Sequence, residues 1–154
     1  MSPQISNPFE RGPFVQIAAL CERTLREGDG VLSLIRVVDV ITHTEATPDP
    51  PENMPEFHYP LTLVITLKSG STRGRHQITI TPELPSGETM PPASTSVNFE
   101  GENKGVNIVS GFDIPYRYEG LHWINVYLDN IIITRLPLVV RYNRVVTPAQ
   151  TGNR

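Results

Sequence analysis

Four histidines, one cysteine and a scatter of acids are the side chains of this 154-residue chain that could hold a metal or move a proton. His43, His58, His76 and His122 share neither an i, i+2 nor an i, i+4 spacing, so the sequence puts no two of them on one strand face or one helix face. His43 and His58 flank the acidic stretch "TEATPDPPENMPE", where Glu45, Asp49 or Glu56 could complete a metal site. Calcium, however, needs several converging oxygens from closely spaced acids, and prolines break up this stretch. Solvated loop acids are the expectation, with no metal and no cofactor. Cys21 would need a base within reach and a lowered pKa to act as a nucleophile. Its setting, "AALCER", announces neither, and a small buried hydrophobe is expected. Ser33, Ser86 and Ser110 stand in no Gly-x-Ser-x-Gly elbow, and "GENKG" (Gly101 to Gly105) lacks the strand-to-helix context of a phosphate loop. One constellation of distant residues stays open as a rival: His43, His58, Asp113 and Arg117 gathered by loops into a hydrolytic or small-ligand site.

The one local charge bias is "KSGSTRGRH", with Lys68, Arg73, Arg75 and His76. Cations there could touch phosphate or an acidic partner, but the aromatic platforms of single-strand binding are missing. The stretch is read as a soluble hairpin tip and as the candidate interaction surface of the molecule. Net charge −3 gives no general field for nucleic acid or an anionic membrane. No basic segment followed by an apolar run opens the chain, and "NIIITRLPLVV" is too short and too broken to span a bilayer. A lone cysteine excludes an internal disulfide and suits a reducing cytoplasm.

The elements that must position these residues read as strands. "YPLTLVITLKSGSTRGRHQITITPELPSG" alternates Leu61, Leu63, Ile65 and Leu67 with polar partners, then Ile78 and Ile80 beyond "SGSTRG", and is expected to form a hairpin. In "VLSLIRVVDVITH" the alternation slips near Val37-Val38, as a bulge would make it do. Residues 17–27 suit a strand to about Cys21, with a helix as the alternative; residues 44–57 form a Pro-rich loop and "LPSGETMPPASTS" a second. "EGLHWINVYLDNIIITRLPLVVRYN" folds about Asp129-Asn130, a pair that tolerates the left-handed conformation of a tight turn. It is expected to turn Leu121, Trp123, Val126 and Leu128 inward, with Ile131, Ile133, Leu136 and Leu138 facing them. About seven strands, two long Pro-rich loops and no crossover helix predict an all-β antiparallel sandwich, immunoglobulin-like, in one domain over 14–143 between flexible ends at 1–13 and 144–154.

The segments "LCERTLREGDGVLSLIRVVDVIT", "GRHQITITPELPSG", "FEGENKGVNIV" and "EGLHWINVYLDNIIITRLPLVV" resemble a family of small bacterial proteins of unknown function, over roughly Phe14 to Tyr142. The resemblance implies an all-β domain in a bacterial cytoplasm and brings no chemistry with it. The last hairpin is also similar to bacterial immunoglobulin-like modules, a likeness of fold alone. The function expected is therefore a non-enzymatic protein-interaction or scaffolding module with a protein partner, no nucleic acid and no membrane. It would use an exposed strand or the Pro-rich loops, and an edge strand also permits a homo-oligomer. A component of a phage-like particle is a third reading.

Overall fold

A long strand that bends, rather than reverses, organises the molecule. The structure, a computed structural model, describes residues 11–152. β1 spans Phe14–Arg26, β2 Leu32–Val37, β3 Val40–Thr47, β4 Phe57–His58, β5 Leu61–Glu83, β6 Ala93–Phe112, β7 Pro115–Tyr116, β8 Gly120–Leu128 and β9 Ile131–Val146. Among the described residues there is no helix, and none therefore that is long and apolar enough to cross a membrane. Seven strands form one sheet in the path β2-β1-β5-β8-β9-β3, with β6 also on β5, while β4 and β7 make a separate two-stranded pair.

The expected hairpin at 61–80 is corrected. Leu61–Leu67 and Ile78–Ile80 are two halves of β5, and "SGSTRG" is a bend within it. β6 accompanies β5 from Leu61↔Phe112 to Ile80↔Ala93. On its other side the first half of β5 pairs with β1, from Phe14↔Lys68 to Cys21↔Thr62, and the second half pairs with β8, from Ile78↔Leu128 to Glu83↔Trp123. Polar residues between two alternating runs look alike whether the chain reverses or bends. The bend is fixed by Gly70, at φ 59°, where a Cβ would stand 1.9 Å from the Arg11 carbonyl oxygen. That carbonyl accepts a hydrogen bond from the Ser71 N–H at 3.1 Å. Only glycine lets the two backbones approach so closely.

The slip at Val37-Val38 marks a change of partner, not a bulge in one strand. β2 pairs antiparallel with β1, whereas β3 pairs with β9. These two strands stand at opposite ends of the sheet path, yet only Val38 and Asp39 separate them. The sheet must therefore curl until its ends meet. The Val38 N–H donates to Leu20 O at 2.8 Å and the Val139 N–H to Asp39 O at 2.9 Å, stitching the junction to both ends. Because the chain runs on without reversing, β3 keeps the direction of β2, which along the path is also that of β9. The β3–β9 pair is accordingly parallel, from Val40↔Val139 to Thr47↔Val146, and the sheet is mixed, not wholly antiparallel as expected. β9 stays paired into residues that the sequence assigns to the tail, while residues 17–26 are strand, not helix.

Curling encloses one apolar cluster with contributions from β1 (Leu20), β3 (Ile41), β5 (Leu63, Ile65, Leu67, Ile78), β6 (Val97, Phe99), β8 (Ile124, Val126) and β9 (Leu136, Leu138). Each fully buried aliphatic side chain contributes about 1.5–3 kcal/mol through removal from water. Asp129 and Asn130, at φ 46° and 70°, make the tight turn that the sequence predicts. The inward set of β8 differs by one residue from expectation at its start: His122 and Ile124 are buried, while Leu121 is 40% exposed and Trp123 is half-buried on the outer face. Opposite them, Leu136 and Leu138 are buried and Ile133 packs on the cluster as expected, but Ile131 is 71% exposed.

Candidate interaction edge

The four basic residues do not gather at a hairpin tip; they are strung along the bend of β5, three of them in contacts within the molecule. Lys68 lays its ammonium over Gly105. Arg73 donates to the Glu100 carbonyl at 2.7 Å, and its guanidinium fills the space above Gly101, where a Cβ would meet it at 2.5 Å. His76 binds the Asp129 carboxylate through Nδ1 and the Arg73 carbonyl through Nε2, with its ring edge-on to Phe99 at 5.5 Å. Asp129 also accepts from the Gln77 N–H at 2.9 Å, so His76 latches the β8–β9 turn onto β5. The Asp129 hydrogen bond, then the Arg73 carbonyl, raise the His76 pKa, and the same ion pair lowers that of Asp129. Arg75 is exposed.

The rival constellation is partly assembled at the opposite end. His58 Nδ1 bonds Asp113 at 2.9 Å on the β4–β7 pair, and Arg117 Nε donates to Glu56 at 2.8 Å. His43 instead stacks on Phe57 with ring centroids 4.5 Å apart and bonds Glu45 at 2.9 Å. Asp113 lines the cleft beside β5 and β6, whereas Arg117 lines a separate one with Pro115 and Tyr118. The Pro-rich loop beside them is held down: Tyr142 Oη donates to Pro51 O at 2.7 Å and Arg144 to Pro50 O at 2.9 Å. Next to this stack, Tyr116 and His122 are buried with their Oη and Nε2 unpartnered. Burial raises the Tyr116 pKa and lowers that of His122. No group of three or more His, Cys, Asp or Glu is gathered among the described residues. Cys21 is fully buried, its thiol pKa pushed up by desolvation, with Sγ donating to Arg23 O at 3.4 Å.

The outer face of β8 and β9 carries a network that the sequence did not disclose. Asn125 is buried and donates to Glu83 at 2.9 Å, Arg135 Nε donates to Asn125 at 2.7 Å, and Arg135 Nη2 meets Glu83 at 3.3 Å. The same guanidinium lies 4.2 Å over the Trp123 ring. Trp123 is thus a platform for Arg135, not a core residue.

Like β2 and β3, which end the sheet path, β6 is an edge strand, and it is by far the longest of the three. It pairs with β5 along one side, and no strand lies along its other side among the described residues. Natural edge strands are commonly blunted by charge, proline or brevity. β6 is 20 residues long and proline-free, and its only charged residues, Glu100, Glu102 and Lys104, cluster at the bend. Both arms, "ASTSVNF" and "GVNIVSGF", are uncharged. Between the arms opens a cleft of 280 Å³ lined by Ile80, Pro82, Ala93, Thr95, Ile108 and Phe112. Metabolite pockets run from about 300 to 1,000 Å³, so this cleft suits a side chain or two from an extended segment better than a whole small molecule.

The profile of DUF6941, a family of unknown function, matches residues 16–141. No curated protein matches the chain. A solved structure of the Pseudomonas fluorescens alkylpurine DNA glycosylase AlkC, bound to DNA containing an abasic site analog, is similar at a TM-score of 0.41 and 12% identity. The match covers 64% of this chain and 27% of that one, a likeness too slight to carry an argument.

Proposed function

The chain belongs to the DUF6941 family, and from that premise we propose that it is a non-enzymatic, all-β protein-interaction module of the bacterial cytoplasm that engages its partner by strand addition along β6. The observation that carries this reading is the long, proline-free edge of β6, whose two arms are uncharged and have an apolar cleft between them. Main-chain hydrogen bonds along such an edge give affinity, and side chains entering the cleft at alternate positions give specificity. A lone buried thiol and histidines dispersed over separate strands fit this role better than acid–base or nucleophilic chemistry.

A lysine placed on each arm tests it, because edge charge blocks pairing. Wild-type protein is used to capture partners from native cell extract, alongside a Ser96→Lys/Val109→Lys variant. The captured complex should show slowed amide exchange along 93–99 or 105–112, and the variant should lose the capture. Protection confined to the basic bend or to the Pro-rich loops would overturn the reading.

A further inference from the structure

The sequence of β6 is complementary to itself. Read antiparallel against a second copy about Asn103, it sets Glu102 opposite Lys104 twice, Gly101 opposite Gly105, Val97 opposite Val109 and Ser96 opposite Ser110. Opposite charges and matched β-branched residues across strands are the pairings that stabilise a ladder. Neighbouring registers are less well matched: centred on Glu102, the strand sets Glu100 opposite Lys104 twice but drives Glu102 against its own copy, and centred on Gly101 it opposes Glu100 to Glu102. Within one chain Lys104 is 67% exposed and only loosely engaged, 3.5 Å from Glu100. Its carbonyl faces β5, accepting from Ser69 Oγ at 2.7 Å.

At the bend Gly101 and Glu102 take left-handed φ of 92° and 54°, so the ladder is broken there and the two copies pair through the arms on either side. A twofold axis normal to the sheet at Asn103 leaves the normal unchanged, so both copies of β6 bend to the same side. The β6 arm of each copy then continues the sheet of the other. Isologous contacts of this kind close at two subunits.

We propose that the partner recognised by β6 is a second copy of this chain, paired antiparallel about Asn103 with Glu102–Lys104 ion pairs fixing the register. This rests on the strand-addition reading and names its occupant. Sedimentation velocity over a micromolar range should give twice 17.2 kDa for the wild type. Glu102→Lys and Lys104→Glu should each weaken association by at least about tenfold, because like charges then face each other. Mixing the two variants should restore a dimer, since each supplies the charge that the other lacks; unchanged thermal melts show that both remain folded. A wild type that stays monomeric throughout overturns the self-pairing, while the strand-addition reading stands if a foreign protein still protects β6. A dimer indifferent to both reversals, or variants that fail to associate on mixing, overturns the register.

Discussion

His76 has both ring nitrogens engaged, and that sets a pH dependence for the turn it holds. Its pKa is raised from the ordinary 6.5, so the stability it contributes is fully present below about pH 6.5 and is lost as pH rises through the raised value. Asp129 is lowered from 3.8, so its contribution is present above that pH and is lost as pH falls through the depressed value. The latch is therefore strongest between these limits. Thermal melts of the wild type and His76→Ala should differ most near pH 5, and the gap should narrow as pH rises through the raised His76 value, when measured across a pH series. A constant gap would show that the imidazole acts by packing on Phe99 alone. Asn125 belongs to the same scale. Replacing it by Ala removes the hydrogen bonds to Glu83 and from Arg135 and should cost about 1–3 kcal/mol in urea unfolding.

Strand β5 shows how one residue decides an element. Gly70 takes a left-handed φ beneath the Arg11 carbonyl, and the bend there lets one strand pair with β1 on its first half and β8 on its second. Gly70→Ala should destabilise by at least about 1–2 kcal/mol from the left-handed backbone alone. Slowed refolding is not required; the check is the denaturation midpoint, and an unchanged midpoint would mean that the bend is set elsewhere. β6 follows the same bend. One extra residue in β6 between Gly105 and Glu102 is offset by one in β5 between Gly70 and Arg73, so both arms of β6 stay paired to β5 and its outer edge runs past the bend.

At the scale of the whole molecule, stability depends on closure. β2 and β3 are neighbours in sequence but hold the two ends of the sheet, so every strand between them must be in place before Val38 and Asp39 can bridge Leu20 and Val139. Pairings this distant in sequence make folding slow relative to helical proteins of this size. Leu138 sits fully buried in β9 within the shared cluster. Leu138→Ala should cost about 2–5 kcal/mol and unfold both halves in one transition, followed by tryptophan fluorescence and circular dichroism together. Two separated transitions would mean that the halves are independent.

The alternation of Leu61, Leu63, Ile65 and Leu67, the Asp129-Asn130 turn and the proline clusters are local signals, and they determined an all-β chain with two Pro-rich connections, although residues 44–47 and 93–96, expected in those loops, are strand. Period two reports that a strand has a buried face, and a left-handed pair reports a reversal, without reference to any other part of the chain. Which strand pairs with which is different, because hydrogen-bond ladders are the same for any sequence. The tertiary structure decided that "SGSTRG" bends where it was expected to turn, that Val37-Val38 passes from one sheet end to the other, and that β3 lies parallel to β9. It also decided which residues line the site. Lys68, Arg73 and His76 were visible as charge, but their partners Gly105, Glu100 and Asp129 lie 27 to 53 residues along the chain and meet them only through those ladders.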